Sequence, residues 1–356
     1  MAFEIRLRDP ENPLHNWDGL LKWENRSLLF QSRSWVDLLK DYLPEVRERT
    51  LVCLEDDRLV GVLPMLVKEG EAGKVANSLP YFGSNASFIL EADLPEPDLV
   101  RQKLLTAWRD LAEREDIRVS VFIDTPWGGN SGFLKGRTWD SGDLRMGHMT
   151  PLGSLAEVED PVQELMNLLH SKTRNMVRKA FKSNVKVSAS SNPEDQDFLE
   201  RTHAENLAAL GGGAKDRRFF DLARQRLDTL TYVAKINDEP VAAAFLVRHG
   251  RVIEYFTPAL KAEHRSAQPL SGLIFHAMQD LAAQGALWWN WGASWPSQKS
   301  LQTFKKRWGT VNSEYGYFIS LSGGLDPWLA LGPEGIKKEY PYFYVLPFSV
   351  LEKGEA

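Results

Sequence analysis

The sequence predicts an α/β fold with mixed sheets, arranged as two tandem domains, on the strength of three observations. The chain has 356 residues, more than one ordinary hydrophobic core accommodates. Residues 52–65, VCLEDDRLVGVLPM, and 233–246, VAKINDEPVAAAFL, align without a gap at a spacing of about half the chain, which suggests duplication of a domain. Each segment is preceded by predicted helices and followed by a helix and then a strand, so the surroundings repeat as well.

Each repeat is a β-rich run, an acidic or amide turn (Asp56-Asp57, Asn237-Asp238) and a second apolar run. That is a hairpin signature, because Asn and Asp tolerate left-handed turn geometry. SRSWVDLLKDYL predicts a helix before the first hairpin; PEDQDFLERTHAENLAAL and RRFFDLARQRL predict two before the second. DLVRQKLLTAWRDLAERE and PLSGLIFHAMQDLAAQG predict the following helices, which lead to the strands IRVSVFID and ALWWNW. TPLGSLAEVEDP supplies turn and loop residues, which places the domains at 1–155 and 156–321. Residues 322–356, rich in Pro, Gly and aromatics without a clear period, are expected as an ordered extension packed on the second domain.

Composition narrows the function. Apolar residues at 43% and charged residues at 26% describe a soluble globular protein. A net charge of -5 lacks the broad positive field of a general nucleic-acid binder, so no DNA partner is expected. Cys53 is the only cysteine, and the seven histidines show no ligand spacing, so no metal site is expected. The charged N-terminus and the lack of a long apolar run lead to an expected cytoplasmic location with at most peripheral membrane contact. GASWP starts like a serine-hydrolase elbow at Gly292 and Ser294, but Pro296 stands at the required second glycine. Gly211 to Gly213 follow a predicted helix and read as a loop, not a phosphate cradle.

Two segments carry candidate chemistry. From Leu165 to Pro193 there is no acidic residue, and SKTRNMVRKAFKSNVKV supplies Lys172, Arg174, Arg178, Lys179, Lys182 and Lys186. On a helix, Arg174, Arg178 and Lys182 form one cationic stripe, which is either a solvated face or a contact for phosphate oxygens. The second segment, LWWNWGASWPSQKSLQTFKKRWG at 287–309, begins as a strand with Leu287, Trp289 and Trp291 on one face and Trp288 and Asn290 on the other. It continues into a helix. With Leu301, Phe304 and Trp308 as the buried stripe, Lys305 lies about 65–70° from its centre, nearer the apolar surface than Lys306 or Arg307. Lys305 is then either a snorkelling lysine or an ammonium facing a cleft. Asp124, at the end of VFID before a Thr-Pro turn, is either a turn cap or a carboxylate beside an acceptor amine.

KTRNMVRKAFKSNVKV, YVAKINDEPVAAAFLV and FKKRWG, in that order, resemble the Fem family of non-ribosomal peptidyltransferases, which form peptidoglycan bridges and are built from two tandem GNAT acyltransferase folds. QSRSW and LPYFGSNASF resemble further segments of that family, and the resemblance runs from about Gln31 to Leu321. The form WNWGAS…FKKRWG is similar to branches found in exopolysaccharide and exosortase-type systems. The resemblance implies two GNAT-like domains and transfer of an aminoacyl or acyl group to an amine of a cell-envelope precursor, nucleotide- or lipid-linked. It implies aminoacyl-tRNA or acyl-CoA as co-substrate, tRNA as a partner in the first case, and no tightly bound cofactor.

The resemblance gives Lys305 the oxyanion role and Asp124 the amine. Lys172, Arg174, Arg178 and Lys179, with Arg217 or Arg218 across the glycine loop, would receive phosphates. Asn290 and Phe304 would line the substrate site. The sequence departs from the family at Asn290, where relatives often carry an acid, so no acid–base role transfers there. HRSAQPLSG also departs from the acetyl-CoA loop of ordinary GNAT enzymes, since Pro269 removes a backbone N–H. Rival readings are an acyl-CoA-dependent N-acyltransferase acting on an aminosugar or polyamine, and a non-catalytic GNAT-fold binding module.

Overall fold

The computed structural model describes residues 3–21, 27–81 and 83–352. Phe82 of LPYFGSNASF and the last four residues of the predicted extension lie outside them. The chain divides into two compact units, one of residues 1–24, 30–146 and 313–356, the other of residues 25–29 and 147–312.

In the second unit the strands Lys186–Ala189, Asp228–Ile236, Glu239–His249 and Val252–Leu260 pair antiparallel in succession. Asn237 and Asp238 make the hairpin turn at φ 52° and 63°, the left-handed pair that a two-residue turn of matching twist requires. Helix Pro269–Ala283 then crosses over to Trp288–Ser294, which runs parallel to Val252–Leu260. Leu273, Ile274, Ala277, Met278 and Leu281 recur at helical spacing and bury that helix in the unit's core. Gly272 lets it approach helix Ser171–Lys182, since a Cβ there would lie 2.8 Å from the Ala180 Cβ. The parallel ladder covers only Val252↔Trp288 to Glu254↔Asn290, although both strands continue, to Leu260 and Ser294. Past that point the exit strand Trp288–Ser294 has backbone groups that Val252–Leu260 does not satisfy.

The first unit repeats the parts. Strands Leu51–Glu55 and Arg58–Leu63 form the hairpin, with Asp56 and Asp57 at φ 49° and 63°. Its register shifts between Cys53 and Leu54, and the second hairpin shifts between Ala234 and Lys235, the same position of the sequence repeat. A bulge retained at one position is a strong mark of common origin. Gly73–Ser78 runs parallel to Ile117–Ile123, with helix Pro97–Arg114 as the crossover. The copies differ in one respect. In the first unit the hairpin sits in a four-stranded sheet with Phe3–Leu7 and Ile89–Leu90, apart from the parallel pair.

The predicted packing of residues 322–356 on the second domain is corrected: this segment belongs to the first unit, as do residues 313–321. Tyr317 to Leu321 pair antiparallel with Ile123 to Val119. Tyr340 Oη donates to the Gly73 carbonyl at 2.7 Å. The buried Asn77 amide exchanges two hydrogen bonds with the Tyr344 backbone, each 2.8 Å. Single polar side chains set this docking, and they leave no periodic trace in the sequence. The segment also contains a helix, Asp326–Glu339, kinked where Gly332 takes φ 65°.

Candidate functional site

The site of the second unit grows from the end of the short parallel ladder. Gly292, Ala293, Trp295 and Pro296 leave carbonyls that need donors, and helix Lys299–Lys306 supplies them. Gln302 Nε2 donates to the Trp295 and Pro296 carbonyls at 2.9 and 3.1 Å. Lys305 Nζ donates to the Gly292 and Ala293 carbonyls at 3.2 and 2.8 Å. This corrects the predicted helix face. Leu301 is exposed, Phe304 only half-buried, and the inward residues are Gln302 and Lys305. A buried carbonyl without a partner costs about 1–3 kcal/mol, a cost that the Gln302 amide and the Lys305 ammonium relieve here. The tryptophan faces hold: Trp289 and Trp291 are buried in the core with Trp308.

Lys305 is only 6% exposed, and burial pushes its ammonium down to about 8. An ammonium has three donors, and two are committed to carbonyls, which leaves one N–H for a further acceptor. Beside it lies a buried imidazole. His148 Nε2 is 2.8 Å from Ser294 Oγ, and Nδ1 is 2.5 Å from Asn312 Oδ1. Asn312 Nδ2 donates to the Thr310 carbonyl at 3.4 Å, which leaves Oδ1 as the acceptor toward His148 and assigns the ring proton to Nδ1. Nε2 therefore accepts from the Ser294 hydroxyl. Burial, then the Lys305 charge, pushes His148 down to about 4, so it is neutral at physiological pH.

Asn290, expected at the substrate, is buried and turned into the structure. It donates to Glu254 Oε2 at 2.7 Å and accepts from Gly292 N–H at 2.8 Å, which ties the end of the ladder to the carbonyl turn. Burial pushes Glu254 up to about 8, against its bonds to Asn290 and the Leu29 backbone, so the group is a neutral acid at pH 7. Below about pH 4.5 the folded and unfolded carboxyls are both protonated. Between about 4.5 and 8 only the unfolded one ionises, so stability is lost as pH rises through that window. Glu254→Gln keeps the acceptor for Asn290 and removes the titration. Its thermal midpoint should match the wild type near pH 4 and exceed it near pH 8 by the equivalent of about 1 kcal/mol or more. Equal midpoints at both values would show that Glu254 is not a buried neutral acid.

The other expected residues fall elsewhere. Asp124, in the first unit, is 0% exposed; Oδ1 accepts from Thr125 N–H at 2.8 Å and Oδ2 from the Ser131 hydroxyl at 2.5 Å. Burial raises its pKa against these bonds and that of the Asn130 backbone. The carboxylate thus takes the turn-cap place that the sequence left open. Arg174 leaves the predicted stripe, because its Nη1 donates to the Leu169 carbonyl at 2.9 Å and caps the preceding helix. Lys172, Arg178 and Lys179 stay exposed on helix Ser171–Lys182. Arg217 and Arg218 are exposed at the start of helix Arg217–Arg226, where Arg217 faces Asp197 at 3.2 Å. Phe304 meets Trp291 edge-on and closes the aromatic cluster.

His148 and Glu254 escaped the sequence reading, and Ser294 entered it only as the serine of a hydrolase elbow that Pro296 rules out. A signal existed for Glu254, an acid inside the apolar run VIEYF, and for His148, between two methionines in RMGHMTP. Among the described residues no group of three or more His, Cys, Asp or Glu could hold a metal ion, and no helix is long and apolar enough to cross a membrane.

Residues 170–294 match the family model of the acetyltransferase (GNAT) domain. No curated protein matches the chain. Among solved structures, FemX is 17% identical, with a TM-score of 0.67 over 93% of this chain and 99% of that one. The C-terminal domain of a putative lysylphosphatidylglycerol synthetase from Agrobacterium fabrum is 13% identical, with a TM-score of 0.58 over 94% and 98%. A tandem GNAT protein from the clavulanic acid biosynthesis pathway is 11% identical, with a TM-score of 0.52 over 91% and 99%. Residues 170–294 thus match the acetyltransferase (GNAT) domain, and the chain as a whole has a fold similar to the tandem GNAT fold of FemX and the clavulanic acid pathway protein.

Proposed function

We propose that this chain transfers an aminoacyl group to an amine of a cell-envelope precursor, forming an amide, with Lys305 as the oxyanion donor. One observation carries the reading: the Lys305 ammonium is gripped by two carbonyls at the end of the parallel ladder, with one N–H left over. When an amine attacks an ester or thioester, the carbonyl oxygen gains charge, and a fixed donor in a buried setting stabilises that charge more than the uncharged ester. Phe304, packed edge-on against Trp291, seats the helix that carries the lysine. Lys172, Arg178 and Lys179 are suited to phosphates of a donor tRNA or a nucleotide- or lipid-linked acceptor; Arg217 and Arg218 lie on a different helix, Arg217–Arg226, and are not needed for that role. Asp124 serves by holding its loop.

The matched acetyltransferase domain favours a second reading, with acetyl-CoA as donor and an aminosugar as acceptor. Against it, helix Pro269–Ala283 offers little to a pyrophosphate: Pro269 has no N–H, and the Ser271 and Gly272 N–H groups already bond the Gln268 carbonyl. The test incubates the protein with alanyl-tRNA and a UDP-linked muramoyl pentapeptide, and separately with acetyl-CoA and glucosamine, and reads products by mass spectrometry. An aminoacylated pentapeptide is expected. Acetylglucosamine alone would transfer the assignment to the second reading, and no product in either arm would overturn acyl transfer to these acceptors.

A further inference from the structure

We propose that Ser294 and His148 form the path by which the attacking amine loses its proton. The inference rests on the acyl-transfer reading above and adds the base that Lys305 alone does not provide. Three side chains lie in one line, Asn312, His148 and Ser294, with bonds of 2.5 and 2.8 Å. A hydroxyl bonded to an imidazole, which is itself oriented by a third group, is the arrangement that moves protons in acyl-transfer chemistry. The hydroxyl end of the line is on Ser294, the residue after Ala293, whose carbonyl holds Lys305 Nζ. Oxyanion donor and proton acceptor therefore share one turn of backbone. Ser294 is itself only 2% exposed and His148 0%, while Gly292, Ala293 and Trp295 around them are half-buried, so an amine reaches the hydroxyl only by way of this turn.

The step balances without an outside reagent. The amine nitrogen attacks the acyl carbon, the C–N bond forms, and the carbonyl electron pair moves to the oxygen beside Lys305. The nitrogen, now cationic, gives a proton to Ser294 Oγ while the Ser294 hydroxyl proton passes to His148 Nε2. Asn312 Oδ1 accepts from Nδ1–H throughout. The C=O bond then reforms, the C–O or C–S bond to the donor breaks, and the imidazolium returns its proton through Ser294 to the departing oxygen or sulfur. The chemistry also times the base. Lys305 repels a proton on His148 in the resting protein, and an oxyanion on Lys305 cancels that repulsion as the tetrahedral adduct forms. Ser294 touches the reacting nitrogen; His148 and Asn312 act through it as positioning residues.

The test uses whichever donor and acceptor pair gives product with the wild-type protein, alanyl-tRNA with the UDP-linked pentapeptide or acetyl-CoA with glucosamine. Ser294→Ala and His148→Gln should each lower kcat about 10²-fold with KM unchanged. Ser294→Thr, which keeps a hydroxyl, should recover most of the rate. The wild-type rate in mixed H₂O and D₂O should curve as two protons in flight require, and His148→Gln should straighten it. Full rates in both variants, with the wild type active, would overturn the relay and leave acyl transfer standing. So would losses that track a fallen melting temperature and leave the isotope curve unchanged. A wild type inactive with both pairs would overturn the transfer reading and the relay together.

Discussion

Lys305→Ala should lower turnover by about 10²- to 10³-fold, the usual loss when one oxyanion donor is removed. The fold should survive. The Gly292 and Ala293 carbonyls lose their donor, which costs about 1–3 kcal/mol and leaves a folded protein with a modestly lower melting temperature. The pH dependence gives a second handle. Because burial lowers Lys305 to about 8, the active ammonium is present below that value and disappears as pH rises through it. Wild-type turnover should fall on that alkaline side. Lys305→Arg keeps its charge at every accessible pH, so whatever rate it retains should lack the alkaline fall. Steady-state rates from about pH 6 to 10 on both proteins decide the matter. A folded, fully active Lys305→Ala protein would end the mechanism.

Trp308→Ala is expected to have the largest effect on stability, a loss of about 3–5 kcal/mol. The indole is 0% exposed, with ring centroids 5.3 Å from Trp291 and 6.5 Å from Phe304, so its removal opens a cavity under the lysine helix. Trp308→Phe should cost much less. The indole Nε1 has no hydrogen-bond partner, so the smaller ring strands no acceptor and still fills part of the space. Urea midpoints of the two variants and the wild type measure the difference. If alanine cost less than about 1 kcal/mol, the aromatic cluster could not be what seats helix Lys299–Lys306.

Which parts of this were legible in the sequence follows from the range of the forces involved. The two hairpins were legible because Asp56-Asp57 and Asn237-Asp238 state their turn chemistry locally, and the paired bulges could not be read because a register shift depends on the partner strand. The crossover helices announced themselves by period. The inward turn of Gln302 and Lys305 did not, because it answers carbonyls freed when a ladder between distant strands ends at Asn290. Helical periodicity places apolar residues, and here the buried face is polar. Arg174 misled for the same reason: its charge looked like part of a surface stripe, but its guanidinium caps a neighbouring helix. Lys305 itself was found, through the resemblance of FKKRWG to a known motif. The imidazole that lies beside it was not, since His148 is far away in the chain.

The discontinuity of the first unit bears on how the protein is made. Strand Ile117–Ile123 obtains its antiparallel neighbour from Tyr317–Leu321, and Asn77 and Gly73 obtain their partners from Tyr344 and Tyr340. The second unit, from Gly147 to Asn312, is almost wholly contiguous. During translation the second unit can therefore close on itself while the first still presents an open sheet edge to whatever the nascent chain meets. The half of the protein that emerges first is the half that finishes last, and its exposure to chaperones and proteases ends only when the final helices leave the ribosome.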